Sequence, residues 1–487
     1  MILLNTSYMI EILTAVTGLL FLLISCIKKD LQQIFGKSLI LIALLALVIY
    51  GYDLCLLPYD GSWFALSSLI KFPMLLWLVF FYKLTHSYLI DSDIPLPEFY
   101  ALTLFATTGV FVLIDGDSLI TLFLGVELVS LPSYVLVALA LKDNMSKESA
   151  VKYLMIGAVG SALILIGFTW TFGLTGQVDL TAISEAMLRM ELNSYDHQAV
   201  LYGFVLAPAI VLLTGMLLKL GVAPFHWWVA DTYQGANMPT TLFISTLPKF
   251  GLAAVMFHCL TTIYQPLEIY QLLCQYLIIV GVFSVMYGNI SALVQYNVKR
   301  LLAYSSIGHM GIVIVILAIP ENYGQFQLNH LIIAYAYLMI YALSSTILFS
   351  SLMILSPHLG LQISIDDMKS MYQQCPRLAL FMLVALLSAA SLPPLAGFFI
   401  KLFVIVELIH MQWIGSVVLV MLGSAIGLYY YLNWVRMMYF YPDIKNLKSV
   451  ITYKRQDVIL YVCSALLLLM AVYPDALLRG LNYQSLY

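Results

Sequence analysis

The sequence predicts an all-α polytopic membrane protein, one domain of about fourteen transmembrane helices with the seventh and twelfth broken. Three observations predict it. Hydrophobic residues fill 62% of the 487 positions and charged ones 10%, with a mean hydropathy of +0.96; a soluble domain carries about 25% charged residues. Apolar runs of roughly one bilayer crossing succeed one another along the chain. Two of the longest carry proline at their centres, where it removes a backbone donor and clashes with the preceding turn. This composition argues against a soluble multidomain enzyme, and no basic domain or aromatic–basic surface points to nucleic acid. The expected surroundings are membrane lipids.

The runs fall near 9–27, 37–57, 63–82, 96–114, 118–141, 149–174, 203–229, 239–262, 270–293, 300–319, 328–355, 378–407, 414–440 and 457–474. The first lacks a preceding basic segment and is followed by Lys28 and Lys29, which marks a retained span and not a cleaved signal peptide. After the sixth run, the longest outer loop sets Leu180, Ile183, Met187 and Met190 among Asp179, Glu185, Arg189 and Glu191. That spacing fits a short amphipathic helix lying at the membrane interface, and equally a solvated loop with one turn. No stretch of soluble-domain composition interrupts the series.

Orientation follows from the basic residues. With the N-terminus outside, sixteen of the 22 Lys and Arg fall in inner loops, among them Lys28, Lys83, Lys147, Lys152, Lys299, Arg300, Lys369 and Arg436. Only Arg189 and Arg479 fall outside, and four lysines lie within runs. A miscounted helix would scramble that split, so it supports the count as well as a positive-inside orientation. The six cysteines are scattered without a CxxC pair, so no iron–sulfur cluster or other metal site is expected on this chain. GxGxxG and P-loop motifs are also missing, which leaves an ion gradient or a partner as the source of energy.

The seventh run reads Leu213-Thr-Gly-Met-Leu-Leu-Lys219-Leu-Gly-Val-Ala-Pro224-Phe-His226, and the twelfth contains Leu387-Ser-Ala-Ala-Ser-Leu-Pro393-Pro394-Leu-Ala-Gly397-Phe-Phe-Ile-Lys401. Breaks are expected at Pro224 and at Pro393 and Pro394. Non-helical backbone at membrane depth survives only when buried in protein or lining a wet cavity. Broken segments at matching places in two halves are the sequence sign of an inverted-repeat transporter. The two lie five helices apart, so they run in opposite directions. Two harmless kinks are the plainer reading, weakened by the lysine beside each break.

Lys71, Lys219, Lys249, Lys401 and Glu127 sit inside apolar runs, where a charge costs roughly 2.5–3.5 kcal/mol on insertion scales. That pattern points to a path for protons or ions. Glu127 shares a helix face with Ser130 and Tyr134, at i+3 and i+7, so hydroxyls are offered to its carboxylate. Lys219 has Gly215 and Ala223 at i−4 and i+4, leaving room for water or a neighbouring helix. Glu127 is its expected partner, and the two would titrate as a coupled pair. Lys249 follows Pro248 midway along its run, and Lys401 is the deep lysine of the second broken helix. Lys71, beside Pro73, either snorkels outward or joins the path. His258 and His309 either extend a relay, since histidine titrates near neutrality, or serve as hydrogen-bonded packing residues. His226 and Asp231, just past the first break at the inner rim, can feed protons towards Lys219. Two such ligands are too few for a metal.

The stretch from Lys219 to Pro239 with Pro248-Lys249, the segment Lys299-Arg-Leu-Leu-Ala-Tyr-Ser-Ser-Ile-Gly-His309, and Ser391-Leu-Pro-Pro-Leu-Ala-Gly-Phe-Phe-Ile-Lys401 resemble the antiporter-like membrane subunits of respiratory complex I. The likeness runs over roughly 95–440. Asn237, where the family usually has proline, departs from it in an expected loop. The Glu-Leu-Val-Ser-Leu-Pro-Ser-Tyr-Val-Leu form around Glu127 looks most like the subunit N branch of NADH-quinone oxidoreductase. A lysine at 401 and an end soon after the fourteenth helix separate it from two sister branches. The resemblance implies that Glu127, Lys219, Lys249 and Lys401 are proton-transfer residues. It also implies three N-terminal helices in 1–95, two inverted five-helix repeats in 96–262 and 270–440, and a last helix at 457–474. No cofactor is implied on this chain; flavin and iron–sulfur clusters belong to partner subunits, and the complex uses a quinone. Other implied partners are membrane and peripheral subunits, homologous antiporter-like ones included. Protons would move outward across a bacterial inner membrane, with the N-terminus periplasmic. A subunit of a multi-subunit monovalent cation/proton antiporter is the alternative, sharing the fold and the lysines.

Overall fold

The computed structural model describes residues 9–25, 46, 63–140, 143–193, 198–264, 269–320, 327–360, 362–393, 395–441 and 454–472. The second predicted run, near 37–57, lies outside them apart from Ala46, as do Cys26, Cys55, Pro394, Lys28, Lys29, Lys37, Lys142, Lys445, Lys448 and Arg479. The other predicted runs all form helices. In chain order they are α1 (Met9–Ser25), α2 (Trp63–Asp91), α3 (Leu96–Asp115), α4 (Leu119–Ala138), α5 (Asn144–Thr175), α6 (Leu180–Asn193), α7 (Gln198–Leu220), α8 (Val229–Gly235) and α9 (Met238–His258). They continue as α10 (Tyr270–Leu293), α11 (Val298–Leu317), α12 (Gln327–Leu359), α13 (Pro376–Ala389), α14 (Ala396–His410), α15 (Ile414–Phe440) and α16 (Lys454–Val472). Among the described residues, nine helices are long and apolar enough to cross a membrane, and Ile10–Leu23, Pro376–Ala389 and Val458–Ala471 are shorter apolar helices.

Local chemistry sets the helix ends. Ser118 and Thr121 form a capping box at the start of α4. The side chain of Asn297 accepts from the backbone N–H groups of Lys299 and Arg300 at α11. The side chain of Asn237 accepts from Thr240 N at 2.8 Å. Each cap satisfies N–H groups that a first helical turn leaves without partners. Asn237, expected in a loop, therefore starts the helix that carries Lys249.

Both broken helices close in the same way. Gly221 N bonds to Leu218 O and Val222 N to Leu217 O; at the second break Ser391 N bonds to Ser388 O and Leu392 N to Leu387 O. This paired closure, with a left-handed residue past the helix end, terminates a helix by satisfying its last carbonyls. The left-handed residues are Gly221 (φ +72°) and Ser391 (φ +57°). The breaks thus begin just before the prolines that were expected to make them. Pro224 and Pro393 lie in the non-helical stretches, 221–228 and 390–393, that follow.

Packing places α9, α11 and α12 at the centre. Their most apolar windows are 94%, 89% and 94% buried within the chain, against 28% for α5 and 33% for α15. Neighbour relations recur along the sequence: α3 packs on α4 and α9, and α5 on α4 and α7, while α10 packs on α11 and α15, and α12 on α11 and α13. The N-terminal helices join the same bundle, for the Trp77 indole N–H of α2 donates to Thr346 Oγ1 of α12 at 2.8 Å. The long loop before the seventh run forms α6, with Leu180, Ile183 and Met187 buried. Its neighbour is the wide helical turn Cys259–Tyr264 that ends α9. Of the two readings of this loop, the short amphipathic helix is the one formed, and its apolar face is covered by protein.

Candidate functional site

Glu127 and Lys219 meet at the edge of the bundle. Lys219, the penultimate residue of α7, reaches α4 because α5 and α7 cross closely: a Cβ on Gly215 would lie 2.9 Å from Gly160 O. Its Nζ stands 3.5 Å from Glu127 Oε1 and donates to Ser130 Oγ at 2.7 Å. The Ser130 hydroxyl, expected to serve the carboxylate, instead accepts from the lysine and donates to Val126 O at 2.7 Å. The lysine side chain is 5% exposed and that of Glu127 25%. Glu127 sits between the exposed Leu124 and Leu131, on a face that a neighbouring molecule can approach. Beside Lys219 is a cavity of about 20 Å³ lined by Ser130, Tyr134, Tyr153, Trp228 and Pro248, large and polar enough for one water. Pro248 brings that cavity to the turn carrying Lys249.

Lys249 lies on the central α9. Its Nζ has no hydrogen-bond partner among the described residues and stands 4.9 Å from the centre of the Tyr341 ring, a cation–π distance. The Tyr341 ring is in turn 5.3 Å from the His309 imidazole. His309 bonds through Nδ1 to Tyr337 Oη at 2.8 Å and through Nε2 to Tyr431 Oη at 3.2 Å, and both Lys249 and Lys401 act on it electrostatically. Lys401 shares with it a cavity of about 10 Å³ lined also by Asn289, Ser305, Tyr337 and Tyr430. Tyr430 Oη donates to Asn289 Oδ1 at 3.0 Å. A carboxylate, amines, an imidazole and phenols thus follow one another through the bundle, each able to take and release a proton.

The remaining candidates lie elsewhere. His258 is nine residues beyond Lys249, half a revolution round the helix; it feels the charge of Asp117, in the α3–α4 turn. His226 is buried against Tyr287, with ring centroids 4.4 Å apart. Asp231, in α8, is held by Lys152 at 3.0 Å and Arg300 at 2.8 Å. Burial alone would raise its carboxyl, but hydrogen bonds and charges from Lys152 and Arg300 outweigh that and hold it below the usual carboxylate range. Lys299 Nζ meanwhile caps α8 by donating to Gln234 O and Ala236 O at 3.0 and 2.8 Å. These bonds clamp the broken segment to α5 and α11. Lys71 does not snorkel: it is 1% exposed and paired with Glu11 and Asp115. Among the described residues, no group of three His, Cys, Asp or Glu could hold a metal ion.

Sequence reasoning missed Tyr337, Tyr341, Tyr431 and Asn289. A signal was available for two of them, since Tyr337 and Tyr341 stand i and i+4 on one face of their run.

A family model described as NADH:quinone oxidoreductase/Mrp antiporter, transmembrane, matches residues 116–427. The chain is 36% identical over 384 residues to a protein named NADH-quinone oxidoreductase subunit N from Coxiella burnetii, covering 79% of this chain and 77% of that one. It is 30% identical over 465 residues to the protein of that name from Hydrogenovibrio crunogenus, covering 94% and 93%. A chain of respiratory complex I from Thermus thermophilus, solved with bound aureothin, superposes with a TM-score of 0.77 at 26% identity, covering 97% of this chain and 99% of that one. The matched span contains Glu127, Lys219, Lys249, Lys401 and both breaks, and the chain therefore belongs to the NADH:quinone oxidoreductase/Mrp antiporter family of transmembrane proteins.

Proposed function

We propose that this chain is a proton-translocating membrane subunit of an NADH-driven, quinone-reducing complex. The observation that carries the reading is the Glu127–Lys219 pair at the bundle's edge, continued inward by Lys249 and His309 on two of its most buried helices and by Lys401 on α14. Redox chemistry belongs to partner subunits with flavin and iron–sulfur clusters, and its effect arrives as a change of charge beside Glu127. When Glu127 is drawn away, the Lys219 ammonium loses its counter-ion in a medium that penalises unpaired charge. Its proton then passes by way of the adjoining cavity to Lys249, on through Tyr341 and His309 to Lys401, and outward. The setting is a bacterial inner membrane with the N-terminus on the outer side, and 96–262 and 270–440 act as two inverted repeats meeting at this line.

Membranes carrying Lys219→Ala or Glu127→Ala, with assembly checked by co-purification, should oxidise NADH with little or no proton pumping. Full pumping in the assembled variants would refute the mechanism. The family description also names Mrp antiporters, and a subunit of that kind would drive sodium-dependent proton flux without NADH. Co-purifying flavin and iron–sulfur subunits, with electron flow to quinone, would exclude it.

A further inference from the structure

Away from the Glu127–Lys401 line, three helices bring one buried ion cluster together. Glu11 lies in the first turn of α1, Lys71 in α2, and Asp115 is the last residue of α3. With α1 and α2 running one way and α3 the other, all three lie towards one end of the bundle, the outer end on the charge reading above. Lys71 Nζ donates to Glu11 Oε1 at 2.6 Å and to Asp115 Oδ2, and the Phe111 ring covers it at 5.7 Å. The side chains of Lys71, Glu11 and Asp115 are 2%, 7% and 10% exposed.

Two carboxylates therefore compete for one ammonium in a place nearly closed to water. With all three ionised, the cluster would hold an uncompensated negative charge, which burial strongly penalises. Glu11 Oε2 is buried with no hydrogen-bond partner among the described residues, so one carboxylate oxygen stands unused by them. Around it, α2 supplies Lys71 and α3 supplies Asp115, and among the described residues these are the charged groups that act on Glu11. The nearby hydroxyls are committed locally: Thr14 donates to Ile10 O and Glu11 O, and Thr108 donates to Leu104 O and Thr14 Oγ1.

We propose that Glu11, Lys71 and Asp115 form a reversible proton-binding site, distinct from the Lys219 path, in which the second carboxylate is neutralised by a proton on Glu11. The step is simple. Glu11 takes one proton at Oε2 and forms an O–H bond, leaving a carboxylic acid, an ammonium and a carboxylate with no net charge. Because the carboxylates face the same amine, the proton belongs to the pair and settles on the oxygen with no other donor.

Infrared spectroscopy of the purified complex tests this by counting protonated carboxyl groups from their deuterium-sensitive carbonyl band. Glu11→Gln should remove one. Asp115→Asn should also remove one, although Glu11 is intact, because Glu11 then pairs with Lys71 alone and ionises. Lys71→Gln should add one. An unchanged band in both Glu11→Gln and Asp115→Asn would overturn the proposal, whether the cluster is a fixed ion triad or holds a sodium ion. If Glu11→Gln fails to assemble, Asp115→Asn decides alone. The readout is a carboxyl count and not pumping, so failure here leaves the Lys219 path standing, and failure of that path leaves this site standing.

Discussion

At the scale of single residues, the proposed path rests on groups whose chemistry has no apolar substitute. On the proposed path, replacing Lys219 by alanine removes a proton carrier between Glu127 and Lys249, and losing a positioned proton-transfer group costs roughly 10²-fold or more in rate. Pumping by Lys219→Ala membranes should fall by about that factor while the complex still assembles. Tyr337 acts more gently. Its phenol makes one of two hydrogen bonds to His309, at 2.8 Å, and such a bond contributes about 1 kcal/mol net, or roughly a fivefold change in rate. Tyr337→Phe should slow pumping about fivefold and leave assembly intact; an unchanged rate would remove this tyrosine from the path.

At the scale of elements, the broken helices are what allow lysines to stand beside polar space within the bundle. Gly221 closes α7 at φ +72°, and a Cβ there would lie 2.5 Å from Val229 Cγ2. A side chain in the left-handed region costs roughly 1–2 kcal/mol before that clash is counted. Gly221→Ala should lower the thermal midpoint of the subunit and weaken pumping with it, since Lys219 is two residues away. The clamp on α8 is electrostatic. Asp231 is held below the usual carboxylate range, so its stabilisation is fully present above that range and is lost as pH falls through the lowered value. Its side chain is about one-third exposed, so its ion pairs are screened and worth at most about 1 kcal/mol each. Melting curves on acidification should therefore show a modest loss that Asp231→Asn flattens and added salt diminishes.

At the scale of the whole molecule, the groups lie along one line. The three most enclosed helices, α9, α11 and α12, carry Lys249, His309 and the Tyr337–Tyr341 pair, while Glu127 sits at the rim. A line in series makes a definite prediction. The double variant Lys219→Ala/Lys401→Ala should pump no worse than the more damaged single variant, because either substitution already interrupts the same path. Two independent channels would instead give losses that add. Pumping per electron pair in the two single variants and the double variant separates these outcomes.

Much was legible in the sequence alone. Hydropathy fixed the runs that became helices, because a bilayer core admits only backbone that satisfies its own hydrogen bonds. Buried charge singled out Glu127, Lys219, Lys249 and Lys401, because chains seldom keep costly residues without a use for them. Partnership was another matter, since it depends on which helix faces meet. The sequence could not turn Ser130 towards Lys219, set Tyr337 and Tyr431 on the two nitrogens of His309, or place His258 on the far face of α9. Nor could it show that Lys71 has two acids for neighbours, one of them sixty residues earlier in the chain. A periodic pattern determines which residues share a face of one helix. Only the packed bundle decides what that face touches, and it is contact at a few ångströms that makes a buried charge a clamp, a carrier or a store.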